Sequence, residues 1–521
     1  MPLPTGDVTW PPADLTQISR KYAEFDAWYS GDPTRLRAVY QRGGHTAPVD
    51  RVAQHRGGVS GALARFWWGR PVGDLTRRQD WLHVPLAADI CQASADLLLS
   101  EPPDLTHPDT AVQERIDLYA DNGLHTLLAE AAEVTAALGD SYLRTTWAED
   151  SGRNHAFLTV VDADQAHPEF RWGHLNAVTF WWELHHDGQT VWRHLERHEL
   201  DPRGYGIIFH GLYEGTIDKL GRQVPLTEHP STAGLQVNAD GYVDTGSAGL
   251  AVQHLPNQTP QRLLRRHPVG RHLGRSDLAG VEPELDALDE TYSSWMRDIR
   301  LGKGRVIAPQ HMLESAGRGR GAMLDLDQDV FVGVNEPPGD GQSIGLTINQ
   351  FAIRVEEHAR TCSELVATIL RSSGYSGHTF GEGESGGVRT ATEVVSEESR
   401  SYRTRDRKIR LLAPRIKAAL AKTLAVDSVV YGPRLNLTED PKVQFGDAVQ
   451  SDPEALARTS QALRTAQAAS TETLVRMNHP DWDETAVKDE VSKIQGENAI
   501  AVPSFGLPAG GDDSPAVDDE S

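Results

Sequence analysis

Leu285-Asp286-Ala287-Leu288-Asp289-Glu290-Thr291-Tyr292-Ser293-Ser294-Trp295-Met296-Arg297-Asp298-Ile299 is the stretch on which the reading of this chain turns. Leu285, Leu288, Tyr292, Trp295 and Ile299 recur at intervals of three and four, which places them on one stripe of an α-helix. Leu301-Gly302-Lys303-Gly304 stops that helix. Strand-like runs follow at Arg305-Val306-Ile307-Ala308 and Val330-Phe331-Val332-Gly333-Val334. A second long helix then runs from Ile348 to about Arg371, carrying Ile348, Phe351, Val355, Cys362, Leu365 and Ile369. Behind it, residues 372–387 hold so many glycines that a mobile loop is expected. The pattern is two helices bracketing a small β insert and ending on a flexible loop.

Working outward, a further long helix is expected from about Thr390 to Leu424, with a possible bend at Pro414. Short helices over Asp452 to Ala468 and Glu484 to Ile494 precede an acidic tail that reads as disordered from about Pro503. Upstream, Ser141 to Gln253 changes texture to short aromatic and β-branched runs, such as Val178-Thr179-Phe180-Trp181-Trp182 and Val191-Trp192-Arg193-His194-Leu195. Breaks at Asp187-Gly188 and Asn238-Ala239-Asp240-Gly241 read as hairpin signals, so this section is antiparallel β. Before it, helices are expected from Asp14 to about Tyr40 with an interruption at residues 30–33, from Val84 to Leu99, and from about Ala111 to Leu138. The fold class is therefore α+β and mostly helical.

At 521 residues the chain has room for several modules, and its mean hydropathy of -0.45 is far from that of a membrane protein. Apolar runs such as Leu97-Leu98-Leu99 fall well short of the ~20 residues a bilayer helix needs. The N-terminus shows neither a basic nor an apolar signal region, so a cytosolic site of synthesis without export is expected. Cys91 and Cys362, the two cysteines, lie in separate helical patterns and read as buried thiols. Fifty-one Lys and Arg against 74 Asp and Glu leave a net charge of -23, which argues against tight static clamping of nucleic acid but is compatible with a surface along which DNA slides.

Candidate chemistry is sparse. Asp325, Asp327, Asp329 and Glu336 fit part of a calcium-loop frame, but Val330 stands where the loop's sharp turn needs Gly, so an acidic β-turn is the better reading. His194 and His198 share one face, but no zinc-protease motif surrounds them, and packed or exposed histidines are expected. Gly302-Lys303-Gly304-Arg305 and Gly317-Arg318-Gly319-Arg320-Gly321 match no nucleotide-binding loop. They read as basic loop tips, either solvated or touching an acidic partner or nucleic acid. The runs Arg400, Arg403, Arg405, Arg407, Lys408, Arg410 and Arg262, Arg265, Arg266, Arg271, Arg275 are either solvated faces or pairing surfaces in an oligomer. No Ser-x-x-Lys motif backs a nucleophile in the sequence.

The order of the elements, together with several short stretches, resembles the portal (head-tail connector) proteins of tailed bacteriophages, particularly the siphovirus type infecting actinobacteria. The stretches are His83-Val84-Pro85-Leu86-Ala87-Ala88-Asp89-Ile90 with Ser100-Glu101-Pro102-Pro103, Ala137-Leu138-Gly139-Asp140-Ser141-Tyr142-Leu143, and Leu288-Asp289-Glu290-Thr291-Tyr292-Ser293-Ser294-Trp295. Arg389-Thr390-Ala391-Thr392-Glu393-Val394 and His479-Pro480-Asp481-Trp482 complete the set.

The resemblance implies a ring-forming portal fold. Residues 1–275 would be the wing, 276–300 and 347–372 the stem helices, 301–346 the clip and 373–388 the tunnel loop. Residues 389–446 would return to the wing, 447–500 form the crown, and 501–521 the acidic tail. Tyr375, Ser376, Gly377, His378, Thr379 and Phe380 would be candidate DNA-facing loop residues, although Tyr375, His378 and Phe380 could instead anchor the loop to the stem. Lys303, Arg305, Arg318 and Arg320 would be candidate clip contacts. Leu285, Leu288, Tyr292, Trp295 and Ile299 would be a candidate interface between stems, a face as open to being core. The implied partners are about twelve copies of the chain, double-stranded DNA, the terminase large subunit, a head-tail adaptor, and the major capsid protein with its scaffold. No membrane, cofactor, metal or catalytic residue is expected. The chain would sit at one capsid vertex of the virion after assembly in the host cytoplasm. The competing readings are another virion component, such as a minor head protein, and a cytosolic hydrolase.

Overall fold

The structure is a computed structural model that describes residues 3–42, 82–148, 152–239, 241–301, 305–307, 314–315, 322–323, 347–349, 354–381, 391–432, 434–446, 453–479, 482 and 484–500. Half of the described residues are helical and 22% are in strands. Two compact units divide it: Met1–Val388 with Ser396–Gly446, and Arg389–Val395 with Asp447–Ser521.

The first unit opens with helices α1 (Thr16–Ser30), α2 (Pro33–Arg42) and α3 (Leu86–Leu99). Gly31, at φ 63°, ends α1 in the left-handed conformation that favours glycine. A short strand β1 (Asp104–Thr106) leads to α4 (Thr110–Asp121) and α5 (Leu124–Leu138). The single helix expected over 111–138 is therefore two, because Gly123 at φ 92° breaks the run. Asp109 caps α4, its carboxylate accepting from the backbone N–H groups of Ala111 and Val112.

The expected β section is present. Strands β2 (Asp140–Thr146) and β3 (Phe157–Asp162) form a hairpin, and β4 (Ala166–Arg171), β5 (His174–Asp187), β6 (Thr190–Leu200), β7 (Tyr205–Thr216) and β8 (Lys219–Val224) follow in antiparallel order. Strand β9 (Tyr242–Ala248) pairs with β7, and β10 (Val252–Pro256) lies beside β2 on the side away from β3. Residues 187–190 do close a hairpin between β5 and β6. Residues 238–241 do not close one, because β8 and β9 both pair with β7 rather than with each other.

Both faces of the six-stranded sheet are covered. On one face Leu195 and Tyr213 join Leu3, Trp10 and Trp181 in the main core. On the other, Val178 and Phe180 pack with Tyr142, Val161 and Val252 of the smaller sheet. Strand β6 alternates between the two faces and is buried at 193 and over 195–198, so charged Arg193 and Glu196 come to be interior.

Helix α6 (Pro230–Ala233) is one short turn, after which α7 (Glu282–Leu301) and α8 (Val355–Ser373) follow. Residues 276–281, expected to be helical, form turns before α7. Between the helices lie β11 (Arg305–Ile307), β12 (Glu314–Ser315), β13 (Ala322–Met323) and β14 (Thr347–Asn349), with β11 paired to β14 and β12 to β13. The second helix of the pair thus starts at Val355 rather than Ile348. Ile348 instead sits opposite Val306 in the ladder that closes the base of the insert. The long helix α9 (Ala391–Val430) accommodates Pro414 and contributes Ile416, Ala419, Leu420 and Leu424 to a second core with α4 and α5. Strand β15 (Lys442–Gln444) pairs with β1.

The second unit holds α10 (Pro453–Thr465), α11 (Thr471–Asn478) and α12 (Glu484–Ile500). The sequence pattern missed α11, which Ser470 caps through the backbone N–H of Thr473. Leu474, Val475 and Val487 are buried there, and the rings of His479 and Trp482 stack 3.9 Å apart. The acidic tail from Pro503 lies outside the described residues.

Candidate functional site

The stripe that opened the reading forms α7. Leu285 and Leu288 are completely buried within the chain's own core, where α8 supplies Cys362, Ile369 and Leu370. Tyr292 and Trp295 are partly buried against that core, and Ile299 is 38% exposed. Exposure thus grows along the helix away from the body. At the far end the Trp295 and His358 rings lie nearly parallel with centroids 6.1 Å apart. Asp298 accepts from His358 Nε2 at 3.1 Å and Arg354 at 3.0 Å, and these donors hold its carboxyl below the usual carboxylate range. The two helices are therefore zipped together from core to tip.

The near end is anchored by carboxylates. Asp289 accepts from Tyr40 OH at 2.6 Å and the backbone N–H of Val84 at 2.8 Å, and it meets His83 Nδ1 at 2.9 Å. Asp140, fully buried, accepts from Gly274 N–H and pairs with His254 Nε2, both at 2.6 Å, and takes Tyr22 OH at 3.2 Å. Beside it, Gly139 at φ 102° leaves no room for a side chain, since a Cβ there would stand 2.7 Å from the backbone nitrogen of Ser276. His83-Val84, Gly139-Asp140 and Leu288-Asp289, three of the stretches singled out in the sequence, are therefore fastening points of the helix root.

The root itself is a buried polar network. Asp277, in the turn leading to α7, accepts Lys408 Nζ at 2.5 Å and Tyr375 OH at 2.7 Å on Oδ2. Its Oδ1 accepts Asn257 Nδ2 at 2.8 Å and Gln258 Nε2 at 2.6 Å. Lys408 also donates to Ser94 Oγ at 2.5 Å and Tyr375 OH at 3.0 Å. Burial pushes the Lys408 ammonium pKa down against the pull of Asp277, and burial beside that carboxylate pushes the Tyr375 phenol well up. Helices α3 and α9, the turn before α7 and Tyr375, two residues past the end of α8, are thus fixed at one point.

Three expectations change here. Tyr375 is not a DNA-facing loop residue, because its ring is 2% exposed and its hydroxyl belongs to the buried network. The segment around it is docked rather than loose. Gly374 carbonyl accepts Thr404 Oγ1, Ser376 N–H donates to Ser401 Oγ, Thr379 Oγ1 meets Ser401 Oγ at 2.8 Å, and Phe380 packs edge-on to Tyr375. Gly377, His378, Thr379 and Phe380 form a 3-10 turn, half-buried rather than free, and residues 382–390 lie outside the described residues. Leu285 and Leu288 face their own chain's core and cannot serve as an interface between stems. The run containing Arg405 and Lys408 is not wholly a solvated face, since Ser401, Thr404, Arg405 and Lys408 are all buried. Arg405 donates to the carbonyls of Leu97 and Gly446, both at 2.6 Å.

Lys303, Arg318 and Arg320 lie outside the described residues, as do Asp325 and its acidic neighbours. Arg305 opens β11. The sequence reading missed Asp277 and Lys408 as a pair. A signal existed in Ser401, Thr404, Arg405 and Lys408, whose successive intervals of three, one and three place them on one helix face. Among the described residues, His194, Glu196 and His210 are the group arranged to hold a metal ion.

A family model described as "Phage portal protein, SPP1 Gp6-like" matches residues 14–503. The chain belongs to this portal family. Its members are structural components of the virion at the head-tail connector rather than enzymes. The match spans the helix pair, the β insert, the anchored root and the small helical unit alike. No curated protein matches the chain. Solved structures similar to it include a chain of the virion of a native gene transfer agent particle, at 15% identity and TM-score 0.40, covering 79% of this chain and 94% of that one. A chain from the neck of the native particle, computed with C12 symmetry, is 13% identical with TM-score 0.36, covering 82% and 92%. One from the neck of the empty particle, computed with C6 symmetry, is 14% identical with TM-score 0.38, covering 83% and 92%. Among the described residues no helix is long and apolar enough to cross a membrane.

Proposed function

We propose that this chain is the portal subunit of a tailed phage of the actinobacterial siphovirus type, forming a ring of about twelve copies around a DNA channel at one capsid vertex. The observation that carries this reading is the family match over residues 14–503, within which α7 and α8 bracket the β insert above the Asp277 and Lys408 root. Residues 276–300 and 347–372 are assigned to the stem, 301–346 to the clip, 373–388 to the tunnel loop, 447–500 to the crown and the remainder of the body to the wing.

The physical task is to let a polyanion slide. A wall of net negative charge, as the -23 of this chain supplies, gives phosphate few attractive contacts along its path. The channel must also be stiff, and the Tyr375-Asp277-Lys408 network fixes the segment after α8 to the body. Adjacent stems meet through what each subunit leaves uncovered. On α8 the uncovered residues include Ala359, Ser363 and Ala367, small enough for close helix approach, and at the tip Ile299 and Val355 are exposed. His378, in the half-buried turn, and residues 382–388 are assigned the contact with DNA, and Lys303, Arg305, Arg318 and Arg320 the contact with the terminase large subunit and head-tail adaptor. The capsid protein and scaffold would meet the wing during assembly in the host cytoplasm.

Negative-stain imaging with light scattering of the purified chain, alone and co-expressed with its capsid and scaffold proteins, tests the reading. A closed ring with a central hole in either preparation is the expected result. A compact dimer or tetramer in both would overturn it.

A further inference from the structure

The face of β6 turned toward the smaller sheet carries His194, Glu196 and His198 at alternate positions. The antiparallel register sets His210 of β7 opposite Glu196, and Leu212 opposite His194. His210 is therefore diagonal to His194, and the two imidazoles lie nearly parallel at 14° with centroids 5.3 Å apart. His194 Nε2 and His210 Nδ1 face each other at 3.1 Å, and His210 Nδ1 stands 3.9 Å from Glu196 Oε2. One ligand atom from each of the three side chains falls within 4.8 Å of the others.

Two ring nitrogens facing each other at hydrogen-bond distance must share one proton when both rings are neutral, since one must donate and the other accept. A metal ion can take the place of that proton and use both lone pairs. Four-coordinate zinc with bonds near 2.0–2.1 Å sets its ligand atoms about 3.3 Å apart. The distances of 3.1 and 3.9 Å bracket that separation, and the Glu196–His194 pair, within 4.8 Å, sets the side-chain shift needed to complete the geometry.

The surroundings suit the chemistry. His198 Nε2 meets Glu196 Oε1 at 2.7 Å, which orients the carboxylate in the way outer partners orient metal ligands. The His210 side chain is only 8% exposed, but His194 is partly open to solvent, so water can take a fourth position there. One group opposes the ion. Arg144 lies 2.9 Å from Glu196 Oε2 and its guanidinium packs over the Trp182 ring, so its positive charge weakens cation binding without blocking the two imidazoles.

We propose that His194, Glu196 and His210 form a binding site for a divalent transition-metal ion of the zinc type, a cross-strand staple on the covered face of the six-stranded sheet. The proposal is independent of the ring reading and stands or falls without it.

The test uses the purified full chain, stripped with a chelator and titrated calorimetrically with zinc. Cobalt(II) binding followed by absorption reports whether the coordination is tetrahedral. The wild type should bind one zinc per chain with a Kd of about 1 μM or tighter. His194→Gln and His210→Gln should each weaken binding by about 10-fold or more. The exposed control His186→Gln should leave it unchanged, and Arg144→Met should tighten it. Wild-type stoichiometry no higher than that of the His194→Gln/His210→Gln double variant would overturn the proposal. Should the histidine variants fail to fold, the wild type decides alone. A tetrahedral cobalt spectrum with an unfolding temperature raised by zinc supports the site, and neither signal overturns it.

Discussion

Replacing Lys408 with Met tests whether the buried root holds the helix pair in place. Methionine preserves most of the side-chain volume but removes the ammonium that donates to Asp277, Ser94 and Tyr375. The Asp277 carboxylate then remains buried, with Tyr375 OH, Asn257 Nδ2 and Gln258 Nε2 as donors but no counter-charge within this network. Breaking a buried ion pair from one side costs about 3–5 kcal/mol, most of it the uncompensated charge. The three remaining donors favour the lower end, so we expect about 3 kcal/mol. For a unit of this size each kcal/mol moves Tm by roughly 1 °C, so Tm should fall by roughly 3 °C. Asp277→Asn in the Lys408→Met background removes the orphaned charge and should recover part of the loss, giving a non-additive double-mutant cycle. Scanning calorimetry on the four proteins measures this. A Lys408→Met change below about 1 kcal/mol, or strict additivity, would refute the network as a structural anchor.

Lys422 Nζ is surrounded by Thr245 Oγ1, Ser247 Oγ and the carbonyls of Ser247, Ala248 and Gly249. Burial lowers its pKa to about 8 from 10.5. Between those values the unfolded chain binds more protons than the folded one, so stability should rise with pH across that window, by on the order of 2 kcal/mol. Urea unfolding at several pH values should show the rise in wild type and its loss in Lys422→Met. Gly374→Ala should cost about 1–2 kcal/mol, because φ is 99° and the new Cβ would stand 2.9 Å from Thr404 Oγ1. Gly377→Ala, in a 3-10 turn of ordinary φ, should cost less than half as much in the same thermal scan. Leu288→Ala should cost about 2–5 kcal/mol in the isolated subunit because the side chain is wholly buried there. Ile299→Asp should change subunit stability by no more than about 0.5 kcal/mol yet reduce ring yield in electron micrographs, since that side chain is exposed.

Much of the architecture could be read from local pattern. The three-and-four spacing from Leu285 to Ile299 marked a helix, Gly31 marked a helix end, and the aromatic runs from Tyr142 onward marked antiparallel strands. Errors fell where a local signal has two outcomes. Gly123 can interrupt a helix or be tolerated within it, and packing here made it an interruption. Ile348 and Phe351 fit a helical stripe, but the partner strand at Arg305–Ile307 drew Thr347–Asn349 into a ladder. Glycines around Tyr375 suggested mobility, yet the tyrosine between them is an anchor whose partner lies 98 residues away in sequence.

The sequence by itself determined the order of helices, insert and sheets, the acidic charge and the family, because periodicity, turn chemistry and composition are local or additive properties. Only the tertiary structure decided which polar residues are interior. Lys408 meets Asp277 across 131 residues and Ser94 across 314, and His194 meets His210 because strand register sets them on one diagonal. A buried charge is tolerated only where its partner arrives from another segment. No spacing along the chain announces that partner, since convergence depends on which surfaces the packed elements bring together.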